Sequence, residues 1–467
     1  MELGRASFKL VPLETAERLP YDQRPANRDL SHLDGEYGWP LVGKTLEMFR
    51  NPHEMFGRHY EKYGAISRIS ITGNKCVLLL HPDYAQRVLL DREKNFSIKK
   101  GWESVMAEFF EGGLAMRDYE EHRLHRGIMQ SSFKPDAMRE YITRIQAIVK
   151  RAVERWAAQD TFLFYDEVKH LLLDIAFDVF CWIDDSENTI KAIDKAFTDM
   201  MEGALGVVRL QIPGLRYHRG LRGRQYLKQF FMDLIEKKRV SNDRDVLAHF
   251  CKAKTEDGEY YADEDIADHM VFLMLAAHDT TTSAATMAAY YLCNDYDLQD
   301  RLNEGVASTE QPLSYEAFFH EMKEMVGVFY ETLRLHPPVS MFLRRTIREC
   351  EFDGVRIPAD TIICVPGTYI HRLEEFWRDP DTFDPTRFSA GVNEDRNHNF
   401  MWIPFGGGAH KCIGMHFARL LFMQTFAEIT CNYRMEFAKE DYFPAKLQYF
   451  PFSRPLDSLP MKLVTRA

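Results

Sequence analysis

The chain contains no hydrophobic run long enough to cross a membrane. A spanning helix needs roughly 20 consecutive apolar residues. The opening segment, MELGRASFKLVPLETAERLP, has neither such a run nor the apolar core of a signal peptide. We therefore expect a cytoplasmic protein without a transmembrane anchor, for which peripheral contact with a membrane surface stays open. No fixed-period repeat, low-complexity tract or linker rich in glycine and serine divides the 467 residues, so composition favours one large unit or two closely packed units.

Paired cysteines and an excess of positive charge are absent as well. No CxxC pair occurs among the eight cysteines, which argues against the usual zinc sites and fits a reducing compartment better than a disulfide framework. The 59 basic residues are outnumbered by 70 acidic ones, so we expect no binding to nucleic acid. Basic residues nevertheless gather at 122–126, 216–224 and 410–419.

Hydrophobic patterning predicts a chain of helices with a few short strands. The predicted elements are an amphipathic helix at 52–63, strands at 67–72 and 76–80 joined by a turn at Gly73-Asn74, a helix from Pro82 to about Asp91, helical stretches at 140–182 and 187–240, and a long apolar helix at 263–293. The aromatic-rich stretch 98–115 has no clean period, so we expect a loop there.

Cys412 is the one cysteine whose surroundings suggest a chemistry. It lies in the glycine-rich segment FGGGAHKCIG at 405–414. A phosphate-binding loop would need Ser or Thr directly after Lys411, where this chain has Cys412, and a zinc site would need further ligands at short spacing. Two interpretations stay open from these residues alone. Cys412 is either an axial thiolate ligand of haem iron or a nucleophile served by a histidine or asparagine from elsewhere in the chain.

Further motifs lie on predicted helices and in one turn. AAHDTT at 276–281 places small residues, an acid and hydroxyls at the centre of the apolar helix, and such a hydroxyl can also bond to the carbonyl four residues earlier. ETLR puts Glu331 three residues before Arg334 on a helix that Pro337 ends. The segment FDPTRF follows, and it contains Arg387.

These segments together resemble the cytochrome P450 family of haem-thiolate monooxygenases. The family's proximal loop, FxxGx[HR]xCxG, is matched by Phe405, Gly408, His410, Cys412 and Gly414. AAHDTT is similar to the family's distal-helix motif, [AG]Gx[DE]T[TS], with alanine where glycine is usual. The resemblance begins near residue 35 and implies the P450 fold, mainly α with a smaller β-rich lobe, as a single domain at 35–467 after an irregular segment at 1–34.

The resemblance implies haem b as the cofactor. Cys412 would be the axial ligand of the iron, and Phe405 would shield its sulfur from water. Gly414 would let the next helix begin close beneath the haem, and His410 would complete the cofactor-binding loop.

The haem propionates would be bound by residues outside this loop. His122 and Arg126 share one helix face and match the family's propionate-binding pair. Arg344 lies where a second propionate-binding arginine is expected, and the adjacent Arg345 is the alternative.

The distal helix and the ion network carry the remaining implied roles. Ala276 and Ala277 would leave a gap for dioxygen and substrate, Thr280 would supply the hydroxyl, and Asp279 would relay protons. His278 is expected to be a bystander, since the motif accepts any residue there. Glu331, Arg334 and Arg387 would form a buried ion network that holds the proximal loop.

The implied reaction is insertion of one oxygen atom from O2 into an apolar C–H bond. Electrons would come from a separate ferredoxin or flavodoxin with its reductase, docking on the basic residues at 122–126 and 410–419 of a monomeric enzyme. LHPPVSMFLRR and GWPLVG resemble the microsomal-type branches that oxidise sterols or retinoids, so we expect a terpenoid, steroid or fatty-acid-like substrate. The candidate pocket residues are Phe272, Ala276, Ala277, Met341, Phe342 and Phe450.

Two other kinds of haem protein are the alternatives to this reaction. A haem-thiolate isomerase or peroxygenase would share the cysteine loop, and so would a non-enzymatic haem sensor. The acid and hydroxyl of Asp279 and Thr280 argue against both, because neither function needs protons delivered to bound oxygen.

Overall fold

The structure, a computed structural model, describes residues 7–10, 29–182, 187–204, 206, 209–255 and 258–466. Most of the segment 1–34, predicted to be irregular, lies outside these residues. Within it, Phe8–Leu10 forms a strand because its backbone pairs antiparallel with Cys350–Phe352. The division of the chain into this segment and one domain at 35–467 stays a prediction.

Helices dominate the described residues, which confirms the predicted mainly α fold. They are α1 (Thr45–Arg50), α2 (Pro52–Tyr63), α3 (Pro82–Leu90), α4 (Ile98–Phe110), α5 (Tyr119–Gln130), α6 (Pro135–Ala157), α7 (Phe164–Cys181), α8 (Glu187–Ala204), α9 (Arg216–Val240), α10 (Val246–Lys252), α11 (Asp263–Leu292), α12 (Tyr296–Ala307), α13 (Lys323–Leu335), α14 (Gly367–Ile370) and α15 (Met415–Asn432).

Several helices begin where the sequence supplies a proline or a capping side chain. Pro52 opens α2, and the side chain of the preceding Asn51 accepts a hydrogen bond from the backbone N–H of Glu54. Pro82 opens α3 in the same way, because its fixed φ suits the first helical position and its missing N–H costs no helical bond. These two helices match the predicted helices at 52–63 and 82–91.

The loop predicted for 98–115 is wrong over most of its length, since Ile98–Phe110 is α4. Gly101 lies within this helix, and a Cβ there would meet the Cα of Arg344 at 2.7 Å. The glycine therefore permits a close approach of helix and strand and does not mark a turn. Ile98, Trp102, Met106 and Phe110 are spaced four residues apart, an interval typical of one helix face, so the sequence did carry the helical period that the prediction missed.

The strands are short and form several small sheets. They are β1 (Phe8–Leu10), β2 (Ile66–Ile71), β3 (Asn74–Leu79), β4 (Phe96–Ser97), β5 (Phe162–Leu163), β6 (Phe342–Thr346), β7 (Cys350–Phe352), β8 (Val355–Ile357), β9 (Ile362–Val365), β10 (Tyr433–Phe437), β11 (Leu447–Gln448), β12 (Arg454–Pro455) and β13 (Pro460–Thr465).

One compact unit comprises Met1–Ser104, Tyr330–Cys412 and Gln448–Pro451, and its described part is built on a five-stranded sheet. The strand order is β2-β3-β9-β6-β4, with β3 and β9 parallel and the other neighbours antiparallel. Side chains alternate along β3, so that Val77 and Leu79 enter one apolar cluster whereas Cys76 and Leu78 enter another. Both faces of this sheet are therefore covered.

The other unit comprises Val105–Phe329, Ile413–Leu447 and Phe452–Ala467, and α11 is its longest helix. Helices α7, α9, α10 and α15 pack against α11. Because neighbours cover most of its circumference, the helix is apolar around nearly its whole surface, as the sequence indicates for 263–293. A second sheet in this unit has the order β10-β13-β5.

Among the helices of the described residues, none combines the length and the apolar character needed to cross a membrane.

Candidate active site

The loop that carries Cys412 is held by its own backbone. The N–H of Gly406 donates to the carbonyl of Ile403 at 2.9 Å, and the N–H of Cys412 donates to the carbonyl of Phe405 at 2.9 Å. The second bond closes the loop directly onto the cysteine. The position of the thiol is thus set by the glycine-rich stretch that precedes it.

Two glycines allow this loop to approach its neighbours. Gly408 has φ +64°, and a Cβ there would lie 2.1 Å from the carbonyl oxygen of Leu89 at the end of α3. Gly406 has φ +67°, and a Cβ there would lie 3.3 Å from the ring of Phe342. Any other residue at Gly408 would combine a strained backbone with a direct clash.

Cys412 is presented differently from most cysteines of the chain. Six of the eight are buried, whereas Cys412 and Cys431 are exposed. Burial raises the pKa of Cys76 and Cys251 to about 12, which keeps these two as inert thiols. Cys412 is accessible at the end of the glycine loop, and Phe405 and His410 lie half-buried in the same loop. A thiolate in this position is suited to act as a soft ligand of haem iron.

Arg344 and Arg345 have different surroundings, because successive side chains along β6 point to opposite faces of the sheet. Arg345 forms an ion pair with Asp360 at 3.4 Å. Arg344 is buried and donates to the carbonyl of Leu343 at 2.9 Å. Burial raises the pKa of Asp91 to about 6, against the effects of two backbone N–H groups and the nearby Arg344 charge. A buried guanidinium suits a carboxylate ligand.

Glu331 is enclosed by two arginines. Arg334 binds it through two nitrogens, at 2.7 and 2.8 Å, and the Nε of Arg387 lies 3.3 Å from it. Arg387 also pairs with Glu394 at 2.8 Å. All three members of the predicted network are almost fully buried, so each charge depends on the others.

His371 connects this network to the cysteine loop, a link that sequence analysis missed. Its Nδ1 donates to the carbonyl of Arg334 at 3.2 Å, and its Nε2 accepts from the backbone N–H of Ile403 at 2.8 Å. Burial lowers the pKa of His371 to about 3, which keeps the ring neutral. A neutral ring can donate one hydrogen bond and accept the other. Ile403 in turn accepts from Gly406, inside the loop.

One face of α11 carries the predicted distal residues. Phe272, Ala276, Ala277 and Thr280 are half-buried, whereas most other residues of the helix centre are fully buried. Positions 272, 276 and 280 repeat at four-residue intervals and so share a face. The hydroxyl of Thr280 donates to the carbonyl of Ala276 at 2.8 Å, the back-bond expected of a helical threonine. This face offers small side chains and one hydroxyl.

Asp279 points to a different, buried side of α11. Its Oδ1 lies 3.2 Å from Nδ1 of His278 and 3.8 Å from Nζ of Lys169, a residue of α7. Burial raises the pKa of the Asp279 carboxyl, but His278 and Lys169 outweigh this effect and hold the pKa below its usual value. His278, expected to be a bystander, also bonds through Nε2 to the carbonyl of Lys169 at 2.8 Å.

His122 and Arg126 lie one turn apart on α5, as predicted. His122 is buried and Arg126 is half-buried. Both belong to the same unit as α11. A histidine and an arginine on one helix face are suited to an anionic group such as a propionate.

The remaining pocket candidates have varied surroundings. Phe342 stands beside Gly406 of the cysteine loop, and Met341 contacts the thiol of Cys364 through its sulfur at 3.5 Å. Phe450 stacks on Phe49 of α1 at 3.8 Å. Phe272 meets Phe110 edge-on at 6.2 Å. Gly414, a residue of the cysteine loop, directly precedes α15, and a Cβ there would meet no atom within 4 Å among the described residues.

Comparisons with known proteins agree with this architecture. The family model "Cytochrome P450" matches residues 33–457. A putative cytochrome P450 136 of Mycobacterium tuberculosis is 35% identical over 95% of this chain and 90% of its own length. An abscisic acid 8'-hydroxylase 4 of Arabidopsis thaliana is 29% identical over 91% of both chains. The retinoic-acid-bound cyanobacterial CYP120A1 superposes with a TM-score of 0.84 and 23% identity, covering 93% of this chain and 99% of its own. The chain therefore belongs to the cytochrome P450 family, and it is a haem b-binding monooxygenase with a cysteine thiolate on the iron.

Proposed function

We propose that this P450 inserts one oxygen atom into an apolar C–H bond of a lipophilic, terpenoid-like substrate. The observation that carries the proposal is the distal face of α11, where small side chains and the Thr280 hydroxyl adjoin the buried acid Asp279. Haem b, when bound, supplies the activation of dioxygen. The chain's own residues hold the haem and deliver the protons.

Each predicted site residue has one task in this proposal. Cys412 binds the iron through its sulfur, with Phe405, His410 and Gly414 shaping the loop around it. Arg344, His122 and Arg126 bind the propionate carboxylates. Asp279 passes protons towards the face of α11 that Thr280 occupies, and the Thr280 hydroxyl can accept a hydrogen bond through its oxygen while it donates to the Ala276 carbonyl.

Glu331, Arg334 and Arg387 have a structural task. Arg334 donates to the carbonyls of His371 and Pro380 at 3.1 and 2.6 Å, so the ion network also organises backbone. Through His371 and Ile403 this order extends to the cysteine loop. The network therefore supports the geometry of Cys412 without touching the reacting atoms.

The lipophilic substrate class rests on the chemistry of the candidate pocket and on the relatives. Phe272, Ala276 and Ala277 offer an apolar surface with one aromatic ring. A relative named for abscisic acid and a structural neighbour solved with retinoic acid support a compact isoprenoid skeleton. Steroid and fatty-acid-like molecules remain in the proposed class.

Electrons are proposed to come from a ferredoxin or flavodoxin with its reductase. The basic residues at 122–126 and 410–419 include the exposed Arg123 and Lys411, which suit an acidic partner surface. Raised salt should weaken this association, because exposed charges are screened beyond about 8 Å at physiological ionic strength.

The central experiment tests the thiolate directly. The reduced, carbon-monoxide-bound protein is expected to absorb at the position typical of thiolate ligation, and Cys412→Ser is expected to abolish that band. Cys431→Ser, at the other exposed cysteine, is the matched control and should keep it. Persistence of the band in Cys412→Ser would remove Cys412 from the iron.

The substrate class is tested by the low-spin to high-spin shift of the ferric haem. A panel of terpenoids, retinoids, steroids and fatty acids is titrated against a matched panel of hydrophilic compounds of similar size. Shifts confined to the lipophilic panel are expected. Shifts with the hydrophilic panel alone would contradict the proposal.

A further inference from the structure

Lys169, His278 and Asp279 form a polar cluster between α7 and α11, in which His278 and Asp279 are buried and Lys169 is partly exposed. Nε2 of His278 lies 2.8 Å from the backbone carbonyl of Lys169. Nδ1 of the same ring lies 3.2 Å from Oδ1 of Asp279, and the ammonium of Lys169 lies 3.8 Å from that oxygen. His278 and Asp279 are 1% and 4% exposed, so solvent does not compete with these contacts.

The hydrogen bond at Nε2 restricts the protonation of the ring. A carbonyl oxygen only accepts, so Nε2 must carry a proton. In a neutral ring Nδ1 would then present a lone pair to Asp279 Oδ1, and an ionised carboxylate would present another. Neither atom has another hydrogen-bond partner among the described residues. A proton on either atom removes the repulsion and converts the contact into a bond.

Few titratable groups surround this pair. Helix α7 contributes Lys169, whose side chain is 33% exposed, and Tyr165, whose pKa is raised to about 12 by burial and by the Asp279 charge. Helix α8 contributes the ring of Phe197, which meets His278 edge-on at 5.1 Å. Lys169 is thus a partly exposed neighbour that can carry a proton from solvent to the pair.

We propose that His278 is a positioning residue that shares one proton with Asp279 and so controls when this carboxylate can pass a proton on. The inference rests on the proposed proton-delivering role of Asp279. His278 does not reach the reacting atoms and acts only through that carboxyl group.

The proton transfer balances without an oxidant or reductant. The Nδ1–H bond of the imidazolium breaks and an O–H bond forms at Asp279 Oδ1, leaving a neutral ring and a neutral carboxyl group. The carboxyl group then loses its proton towards Thr280. Lys169 replaces that proton, since its ammonium faces the same oxygen and recovers a proton from solvent. The new proton then passes from Oδ1 of Asp279 to Nδ1 of His278, which restores the imidazolium and the carboxylate. The lowered pKa of Asp279 fits this role, because a carboxyl group that favours its ionised form releases its proton readily.

Two substitutions at His278 test the roles of its two ring nitrogens separately. His278→Gln places an amide N–H near the Nε2 position, which keeps the bond to the Lys169 carbonyl and leaves nothing at Nδ1. His278→Asn places an amide N–H near Nδ1, which keeps a donor to Asp279 that cannot titrate. His170→Gln, at an exposed histidine of the same α7, is the matched control.

The first measurement uses the ferric, haem-bound protein without turnover. The infrared carbonyl band of protonated Asp279, assigned by its loss in Asp279→Asn, is followed against pH. In His278→Gln the band is expected at a pH about one unit higher than in the parent, because a favourable charge is lost from a buried carboxylate. His170→Gln is expected to match the parent.

The second measurement follows coupling of electron use to product. The peroxide released per electron is expected to rise about tenfold in His278→Gln. In His278→Asn the rise is expected to be smaller and the pH dependence of coupling weaker, since the amide donates to Asp279 but exchanges no proton. A purely structural role would leave the shape of the pH profile unchanged.

The outcomes separate this inference from the proposed function. An unchanged infrared titration with unchanged coupling in both His278 variants overturns the inference. Unchanged coupling in Asp279→Asn overturns the proposed role of Asp279 itself. If His278→Gln loses its carbon-monoxide band or its cooperative unfolding, the variant is misfolded, and His278→Asn and Lys169→Met are measured in its place. Lys169→Met removes the ammonium but not the carbonyl, and it too should raise the pH at which the Asp279 band appears.

Discussion

Single buried charges account for much of what the site can do. Glu331 and Asp279 are both buried carboxylates with cationic neighbours, but their surroundings differ. Glu331 is locked by two guanidiniums, in part bidentately, and has little freedom to exchange a proton. Asp279 has looser partners at 3.2 and 3.8 Å. A tight network suits a structural role and a looser one suits proton transfer.

Arg387→Leu is expected to destabilise the protein strongly. It leaves Glu331 with one arginine and Glu394 without its 2.8 Å partner, and breaking a buried ion pair on one side costs about 3–5 kcal/mol. The measurement is the free energy of unfolding in urea, together with haem content. Arg396→Leu, at an exposed arginine in the same region, should change it by no more than about 0.5 kcal/mol. Equal effects of the two substitutions would refute a structural role for the network.

Thr280→Ala is expected to uncouple electron use from product formation. Loss of the hydroxyl removes the group on the half-buried face of α11 that can hold a proton, so product per electron should fall about tenfold while peroxide rises. Thr280→Ser should retain most of the coupling. Thr286→Ala removes a similar back-bonded threonine from a fully buried part of α11 and serves as the control. Unchanged coupling in Thr280→Ala would exclude Thr280 from proton delivery.

Close approach of backbones decides how the elements around the cysteine loop fit together. Gly408 allows the loop to meet the end of α3, and Gly101 allows α4 to meet β6 at Arg344. At both places a glycine is needed because the neighbouring backbone leaves no room for a Cβ. Only Gly408 also has a positive φ, so only there does the backbone itself demand glycine.

Gly408→Ala is expected to impair haem incorporation. The added Cβ would clash with the Leu89 carbonyl at 2.1 Å, and the left-handed backbone costs a further 1–2 kcal/mol, approximately. The shifted loop should lower the haem content and the intensity of the carbon-monoxide band. Gly57→Ala in α2 is the control, since its Cβ would meet Tyr369 at an ordinary 3.6 Å and alanine favours a helix. Full haem occupancy in Gly408→Ala would show that the loop can bind haem with a different backbone conformation.

Acid sensitivity is a property of the whole molecule, because neutral histidines are buried in many places. Burial lowers the pKa of His53 and His59 to about 4 and that of His371 to about 3. The pKa values of His125, His249, His269 and His336 are also lowered, with burial as the largest cause. Each of these rings resists a proton that it would accept in the unfolded chain.

The free energy of unfolding is therefore expected to fall as the pH drops below 6.5. Between pH 6.5 and about 4 the unfolded chain binds more protons than the folded protein, so stability is lost with falling pH, by up to about 1.4 kcal/mol per pH unit for each histidine. Urea unfolding of the holoprotein at pH 7, 6 and 5 measures this slope, to which Asp91, with its pKa raised to about 6, makes a contribution of opposite sign. His59→Gln should reduce the slope. A flat profile from pH 7 to 5 would contradict neutral burial of these rings.

Local chemistry was sufficient to predict the family, the mainly α fold and the haem cofactor, all of which are confirmed. The segment around Cys412 could be interpreted because positive-φ glycines and a closing backbone bond are properties of a few adjacent residues. Pro52 and Pro82 mark helix starts for the same reason. Such features depend on steric rules that act within one or two turns of chain.

Only the tertiary structure decided which distant groups meet. Lys169 and His278 are 109 residues apart, and His371 lies 32 residues from Ile403, so no local pattern indicates their contacts. Gly101 in α4 is a similar case, because the close approach of the Arg344 backbone requires glycine there and the helix itself does not. Burial and charge coupling arise from packing of elements remote in sequence. The sequence by itself therefore determined the haem-thiolate chemistry, whereas the partners that tune Asp279 and support the Cys412 loop were set by how the helices and strands pack.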